Sequence, residues 1–204
     1  SDPSIAQTYL HLGIALRLNQ QPDKARKCMK QALSIYVGKD SEMNDIGMIA
    51  DIMHEMALNS ITTDDLTGGL KILKQELGIR KKIGKSENSN IARTLYHLGT
   101  TETKLRNFNK ALNFFMDALA IYEKMDDEVG ISFARTLYCT GIVFEATRDP
   151  TSAEEAFTES VKIIEGVGLS EDEVEEIFSE LDSLRNTDDS NTTQRKMFVG
   201  VKRK

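Results

Sequence analysis

Small residues recur in pairs along this chain: Gly13 with Ala25, Ala57 with Gly69, Gly99 with Ala111, and Gly141 with Ala153, always twelve positions apart. The first members of the pairs follow one another at intervals of 44, 42 and 42 residues. Self-similarity at a period of roughly 20–50 residues is the signature of stacked supersecondary units. Four copies of one unit therefore occupy most of the 204 residues as one continuous array. In such an array each unit touches only its neighbours, and binding belongs on a long concave surface instead of in a catalytic pocket.

Each unit reads as two amphipathic helices joined by a short polar turn, over residues 5–40, 48–85, 90–127 and 132–168. In the first unit Tyr9, Leu12, Gly13 and Leu16 recur at helical spacing, Asn19-Gln20-Gln21 turns the chain, and Pro22 stands near the next helix start. The second helix carries Ala25, Met29, Ala32 and Leu33. The same offsets give Gly69, Leu73, Glu76 and Leu77, then Ala111, Phe115, Ala118 and Leu119, then Ala153, Phe157, Ser160 and Val161. Small residues let two helices approach, and the large one between them fills the gap. Unit two is the poorest copy. Met53 and Met56 replace Leu-type anchors, Glu76 stands where a small residue belongs, and Gly68-Gly69 weakens the second helix. It is expected to be the most mobile or most distorted unit.

In unit four Asp149-Pro150 opens the second helix, Thr151 and Glu154 have capping-box spacing, and Gly166 and Gly168 end the helix. Ser170 and Glu173 repeat that spacing ahead of Val174, Ile177, Phe178, Leu181 and Leu184, which share one stripe. Residues 170–185 are thus expected to form a capping helix that seals an array spanning 4–185. Residues 170–189 hold nine Asp/Glu against a single base, Arg185. The pattern stops at 186–204, where a disordered basic tail is expected, with Arg195, Lys196, Lys202, Arg203 and Lys204 in its last ten residues. The fold class that follows is all-α: an α-solenoid of four helical hairpins plus the C-terminal capping helix.

A wheel at about 100° per residue separates two stripes on each first helix. Residues one and four before the small residue and three after it face the core. Residues six, three and two before it, and one, four and five after it, fall at about 40–160° and form a second stripe. In unit one that stripe includes Leu10, His11, Ile14 and Arg17; in unit two His54, Glu55 and Leu58; in unit three Arg93, Tyr96, His97, Thr100 and Lys104; and in unit four Arg135, Tyr138, Cys139, Ile142 and Glu145. Stacked side by side, these rows would make one inner wall of mixed aromatic, polar and aliphatic character, as recognition surfaces have. They are the expected peptide-binding residues. Arg93 and Arg135 are suited to a carboxylate or phosphate, or to pairing with nearby acids. The three histidines all fall on this row, but equivalent residues of neighbouring units stand roughly 10 Å apart, too far to share one ion. They read as groove lining, and no metal or other cofactor is expected.

The residues exclude several classes. No glycine-rich phosphate loop, nucleophile elbow or metal-ligand spacing occurs, so the chain is expected to be no enzyme, with no catalytic residues. A net charge of −6 argues against nucleic acid as the main partner. No apolar run is long enough to span a membrane. Two cysteines 111 positions apart read as reduced thiols, which points to the cytoplasm.

The chain resembles the tetratricopeptide-repeat proteins. Gly13 and Ala25 and their counterparts match that family's small-residue pair, and Tyr9, Leu12 and Ala32 match further anchors. The openings Ile91-Ala92-Arg93-Thr94-Leu95-Tyr96-His97-Leu98-Gly99 and Phe133-Ala134-Arg135-Thr136-Leu137-Tyr138-Cys139-Thr140-Gly141 resemble the kinesin light chain type of repeat. That type usually carries Asn where His11, Glu55, His97 and Cys139 stand here. The resemblance implies a right-handed superhelix whose concave face binds a protein or peptide partner. The expected role is a cytoplasmic, adaptor-like or scaffold module for protein binding. The alternative is a self-assembling scaffold, a homo-oligomer formed through a terminal repeat or through the basic tail docked on a groove or on the acidic capping helix.

Overall fold

The computed structural model describes residues 3–37, 45–84, 88–125, 130–169, 171–182 and 184. Within them lie nine helices: α1 (Pro3–Leu18), α2 (Pro22–Val37), α3 (Ile46–Thr62), α4 (Leu66–Ile83), α5 (Asn88–Lys104), α6 (Phe108–Tyr122), α7 (Gly130–Ala146), α8 (Pro150–Val167) and α9 (Glu171–Asp182). They pack as four hairpins, α1 with α2, α3 with α4, α5 with α6 and α7 with α8. Each of α2, α4 and α6 also packs on the first helix of the next hairpin, which makes the chain a helical solenoid. Among the described residues there is no strand.

The small residues set the hairpin seams. A Cβ on Gly99 would stand 2.4 Å from the Phe115 ring, and one on Gly141 would stand 2.6 Å from the Phe157 ring. Both rings are buried. A glycine thus lets the backbone of the first helix lie directly on an aromatic of the second.

The four hairpin turns share one backbone. Gln20, Asp64, Arg106 and Arg148 have φ of 54°, 63°, 60° and 63°, all in the left-handed region. The next residue in each turn donates its N–H five positions back: Gln21 to Leu16 O, Asp65 to Ser60 O, Asn107 to Glu102 O and Asp149 to Phe144 O, each at 2.9 Å. This is the Schellman closure of a helix, built four times without glycine. Asp65 and Asp149 then cap the following helices, accepting from the N–H of Gly68 and Ser152. The cap of α8 is therefore Asp149 and not Thr151, because Pro150 already occupies the first turn. Gly168, with φ 76°, ends α8. Ser170 and the tail 186–204 lie outside the described residues.

Three buried clusters run along the array. The first joins α1 and α2 to α3 through Leu10, Met29, Tyr36 and Ile52. The second joins α4 to α5 and α6 through Leu73, Leu95, Leu98 and Tyr122. The third joins α6 to α7 and α8 through Phe115, Tyr138, Phe157 and Ile164, and α9 adds Ile177 and Leu181 to it.

Two expectations need correction. Unit two is not distorted: α3 and α4 run unbroken for 17 and 18 residues. Gly68 falls in the first turn of α4, where its N–H is held by Asp65, so it weakens the helix little. In unit one, Tyr9 and Leu12 do not face a core. They are 36% and 46% exposed, because among the described residues no helix precedes α1 to cover that side.

Candidate functional site

The first helices of neighbouring units meet side by side, and three contacts mark the line. Arg17 of α1 donates to Glu55 of α3 at 2.8 Å, with both side chains largely shielded. The rings of His54 on α3 and His97 on α5 meet edge to face at 5.1 Å. The Cys139 thiol of α7 lies 3.9 Å from the Tyr96 hydroxyl of α5. These contacts join α1, α3, α5 and α7 into one continuous wall.

That wall is narrower than the helical wheel implied. His11, Arg93 and Lys104 are exposed, and Ile14, Arg17, Glu55, Leu58, Tyr96, His97, Thr100, Arg135 and Glu145 are half-buried. Leu10, His54, Tyr138, Cys139 and Ile142 are buried and so cannot form its surface. The reason is geometric. A single wheel knows the partner within the hairpin but not the next hairpin, whose first helix closes over part of the same stripe. Leu10 joins the first core cluster. Tyr138 is held between Phe157 and Phe178, with ring centroids at 4.9 and 5.2 Å. Cys139 and Ile142 join the third cluster.

Beneath the wall lies a charged cluster that the sequence disguised. Glu76 is fully buried, and its carboxylate accepts from His54 Nδ1–H at 3.0 and 3.1 Å, from Arg80 Nε–H at 2.7 Å and from Thr94 Oγ1–H at 2.8 Å. Arg80, also fully buried, reaches on to Asp51 at 2.7 Å, and Arg93 stands 4.0 Å from the same oxygen. The cluster thus ties α3, α4 and α5 together. Glu76 and Arg80 take the places held by Ala32 and Tyr36 in unit one and by Ala118 and Tyr122 in unit three. Their spacing of four on one helix was the available signal, since opposite charges so placed face each other.

Burial by itself would raise the pKa of Glu76. The hydrogen bond and charge of His54, with the hydrogen bonds of Arg80 and Thr94, overcome it and hold the carboxyl below its ordinary value. His97 is pushed well below the ordinary histidine value, first by burial and then by His54 and the guanidiniums of Arg93, Arg17 and Arg135. Three arginines from three different units therefore act on one imidazole, which stays neutral. His54, whose ring meets that of His97, has its Nδ1 engaged by Glu76.

Among the described residues no group of three or more His, Cys, Asp or Glu could hold a metal ion. Nor is any of their helices long and apolar enough to cross a membrane.

A search of the curated proteins finds no match to the sequence. Solved structures do share the fold. BtubC (BKLC) from P. vanneervenii is similar with a TM-score of 0.74 at 18% identity, over 83% of this chain and 67% of that one. Aspartyl phosphate phosphatase F from Bacillus subtilis is similar with a TM-score of 0.76 at 15% identity, over 91% of this chain but only 45% of that one. The apo form of RapI is similar with a TM-score of 0.71 at 18% identity, over 90% and 70% of the two chains. At these identities the likeness is one of fold. The tetratricopeptide-repeat family matches residues 5–37 and again residues 48–124. Those segments together make up more than half of the chain, and their hairpin is the unit that the fold repeats four times, so the chain belongs to the tetratricopeptide-repeat family.

Proposed function

We propose that this chain is a non-enzymatic protein-binding module whose inner wall holds a peptide or helical segment of a partner protein. One observation carries the reading. Every first helix carries, at the same helical phase, side chains that are not fully buried. They run from His11 and Ile14 through Glu55 and Leu58 to Arg93, Thr100 and Lys104, ending at Arg135 and Glu145. A continuous ledge of this kind fits capture of an extended or helical segment. The side chains that rest half-buried against one another are already ordered, so a visitor would order fewer of them on binding.

The test uses the exposed members of the wall, whose loss leaves the cores intact. His11→Ala, Arg93→Ala and Lys104→Ala are combined, helicity is checked by circular dichroism, and captured proteins are compared with those of the unaltered chain. Loss of specific partners with helicity retained is the expected result. Equal recovery of the same partners would remove the wall from consideration. The tail-docked scaffold rests on residues 195–204, and truncation after Asn186 with light scattering tests it: an unchanged mass excludes it.

A further inference from the structure

Positive charge gathers on the second helices of units one and two. α2 presents Lys24, Arg26, Lys27 and Lys30, and α4 presents Lys71, Lys74, Lys81 and Lys82, all of them exposed. The acids on the same two helices are Asp23 and Glu76, and Glu76 is buried against Arg80. Eight exposed bases thus stand against one exposed acid, on a chain whose net charge is −6. Among the described residues Lys74 is the only one of the eight with an ion partner, Glu102 at 3.6 Å.

The repeat itself turns this face outward. Lys27 lies opposite Ala25, Met29, Ala32 and Tyr36 on the helical wheel, and Lys71 lies opposite Gly69, Leu73, Glu76 and Arg80, all of them buried. Lys27 and Lys71 hold equivalent positions, as do Lys30 and Lys74. The later copies of the first position, Asn113 and Glu155, are exposed as well, and so are those of the second, Met116 and Thr158. Exposure at these places is therefore a property of every unit, while the chemistry changes along the array from Lys to Glu.

Such a face attracts an extended anion, and three observations select a lipid surface. The eight bases are seven lysines and one arginine, so most are point charges without the planar fork that reads phosphates or base edges in a fixed geometry. α4 has no aromatic residue, and the one on α2, Tyr36, is buried, so the face offers no platform on which nucleotide bases could stack. Apolar side chains do stand beside the charge. Val37, 61% exposed, ends α2, and Ile83, 36% exposed, ends α4 directly after Lys81 and Lys82. Lysines with apolar side chains at their border are the composition of surfaces that rest on anionic headgroups.

We infer that the α2–α4 face docks this chain on an anionic lipid surface. Each base close to such a surface strengthens binding about fivefold, and the attraction fades within about 10 Å at 0.1 M salt. The acids of α8 and α9 are repelled by the same surface, which favours one orientation of the array. The docking makes no use of the wall formed by the first helices, so the two are separable.

Flotation of the full chain with vesicles tests this. The probe is phosphatidylcholine with about 30 mol% phosphatidylserine, and phosphatidylcholine alone is the blank. The unaltered chain is expected to float with the anionic vesicles and not with the neutral ones, and to lose at least about tenfold in affinity between about 0.1 and about 0.5 M salt. Lys27→Glu with Lys71→Glu alters the face, and Arg93→Glu with Lys104→Glu makes the same change of formal charge on the wall. All four sites are exposed, and circular dichroism confirms that each variant is folded. The first pair should weaken binding to anionic vesicles at least about twentyfold, and the second less than about threefold. No binding to anionic vesicles, equal binding to neutral ones, or equal loss from the two pairs overturns the inference. Binding lost on truncation after Asn186 also overturns it, by assigning the vesicles to the basic tail. Affinity for duplex DNA as high as for the anionic vesicles would make the face a general polyanion site and overturn the lipid assignment. Vesicle binding by a chain whose wall captures no partner would uphold this inference and remove only the wall reading.

Discussion

His54 and Glu76, both buried, share a hydrogen bond across the hairpin of unit two, and Glu76 is bound at the same time by Arg80. Removing one member of such a set strands the others without solvent. Glu76→Ala is therefore expected to lose about 3–5 kcal/mol, read from urea unfolding. Units one and three show a neutral solution at the same two places, Ala with Tyr. The double change Glu76→Ala with Arg80→Tyr should recover more than half of the loss, since an apolar pair of suitable shape replaces buried charge at little net cost. A double variant as weak as the single one would show that the cluster stabilises through His54 and Asp51 and not through the Glu76–Arg80 pair.

The same region sets the acid limit of the fold. Folded His97 stays neutral, whereas in the unfolded chain it takes a proton near its ordinary value of about 6.5. The unfolded state then binds more protons, so stability falls as pH drops below about 6.5, by up to about 1.4 kcal/mol per pH unit. Glu76, with its folded pKa lowered, acts with the same sign: its contribution is full above its ordinary range and is lost as pH falls through its folded value. His97→Asn should flatten the curve between pH 6.5 and 5 and leave the drop at lower pH. An unaltered slope in that window would place the sensitivity elsewhere.

Two glycines can be compared as a matched pair. At Gly99 a methyl group would meet the buried Phe115 ring at 2.4 Å, whereas at Gly78 nothing lies within 4 Å. Both are in helices, where Ala is favoured over Gly by about 1 kcal/mol. Gly78→Ala should therefore stabilise by about that amount, and Gly99→Ala should destabilise by about 1–3 kcal/mol through overpacking. Phe115→Leu added to Gly99→Ala should return part of the loss. Equal effects at the two glycines in thermal unfolding would show that the seam yields.

The period, the hairpin and the close approach at Gly13, Gly99 and Gly141 were legible because each depends on residues a fixed distance apart. What was not legible depends on neighbours far along the chain. His54 and Tyr138 looked like wall residues because a wheel does not contain the helix of the following unit. Glu76 looked like a defect because its partner His54 stands 22 positions earlier, and a buried acid without a visible partner reads as a cost. Tyr9 and Leu12 look like core because their later copies Leu95, Leu98 and Thr140 are buried. These three misreadings have one source: the units are alike in sequence but not in surroundings, and the terminal unit differs most.

The hairpin turns carry the last expectation. Arg148 holds φ at 63°, a conformation that costs a residue with a Cβ roughly 1–2 kcal/mol and a β-branched one more. Its side chain is exposed, so substitution there changes the backbone cost and little else. Arg148→Gly relieves the strain but frees the unfolded chain by a comparable amount, so its stability should stay within about 0.5 kcal/mol of the unaltered protein. Arg148→Val has no such relief and should lose about 1–2 kcal/mol. The Asp149 N–H that closes the turn on Phe144 should then exchange with deuterium faster in the Val variant alone. The same pair of changes at Gln20 should give the same order, because the two turns share their φ region and their closing hydrogen bond. If Val were tolerated as well as Gly at both places, the left-handed turn would not be what fixes the hairpin angle.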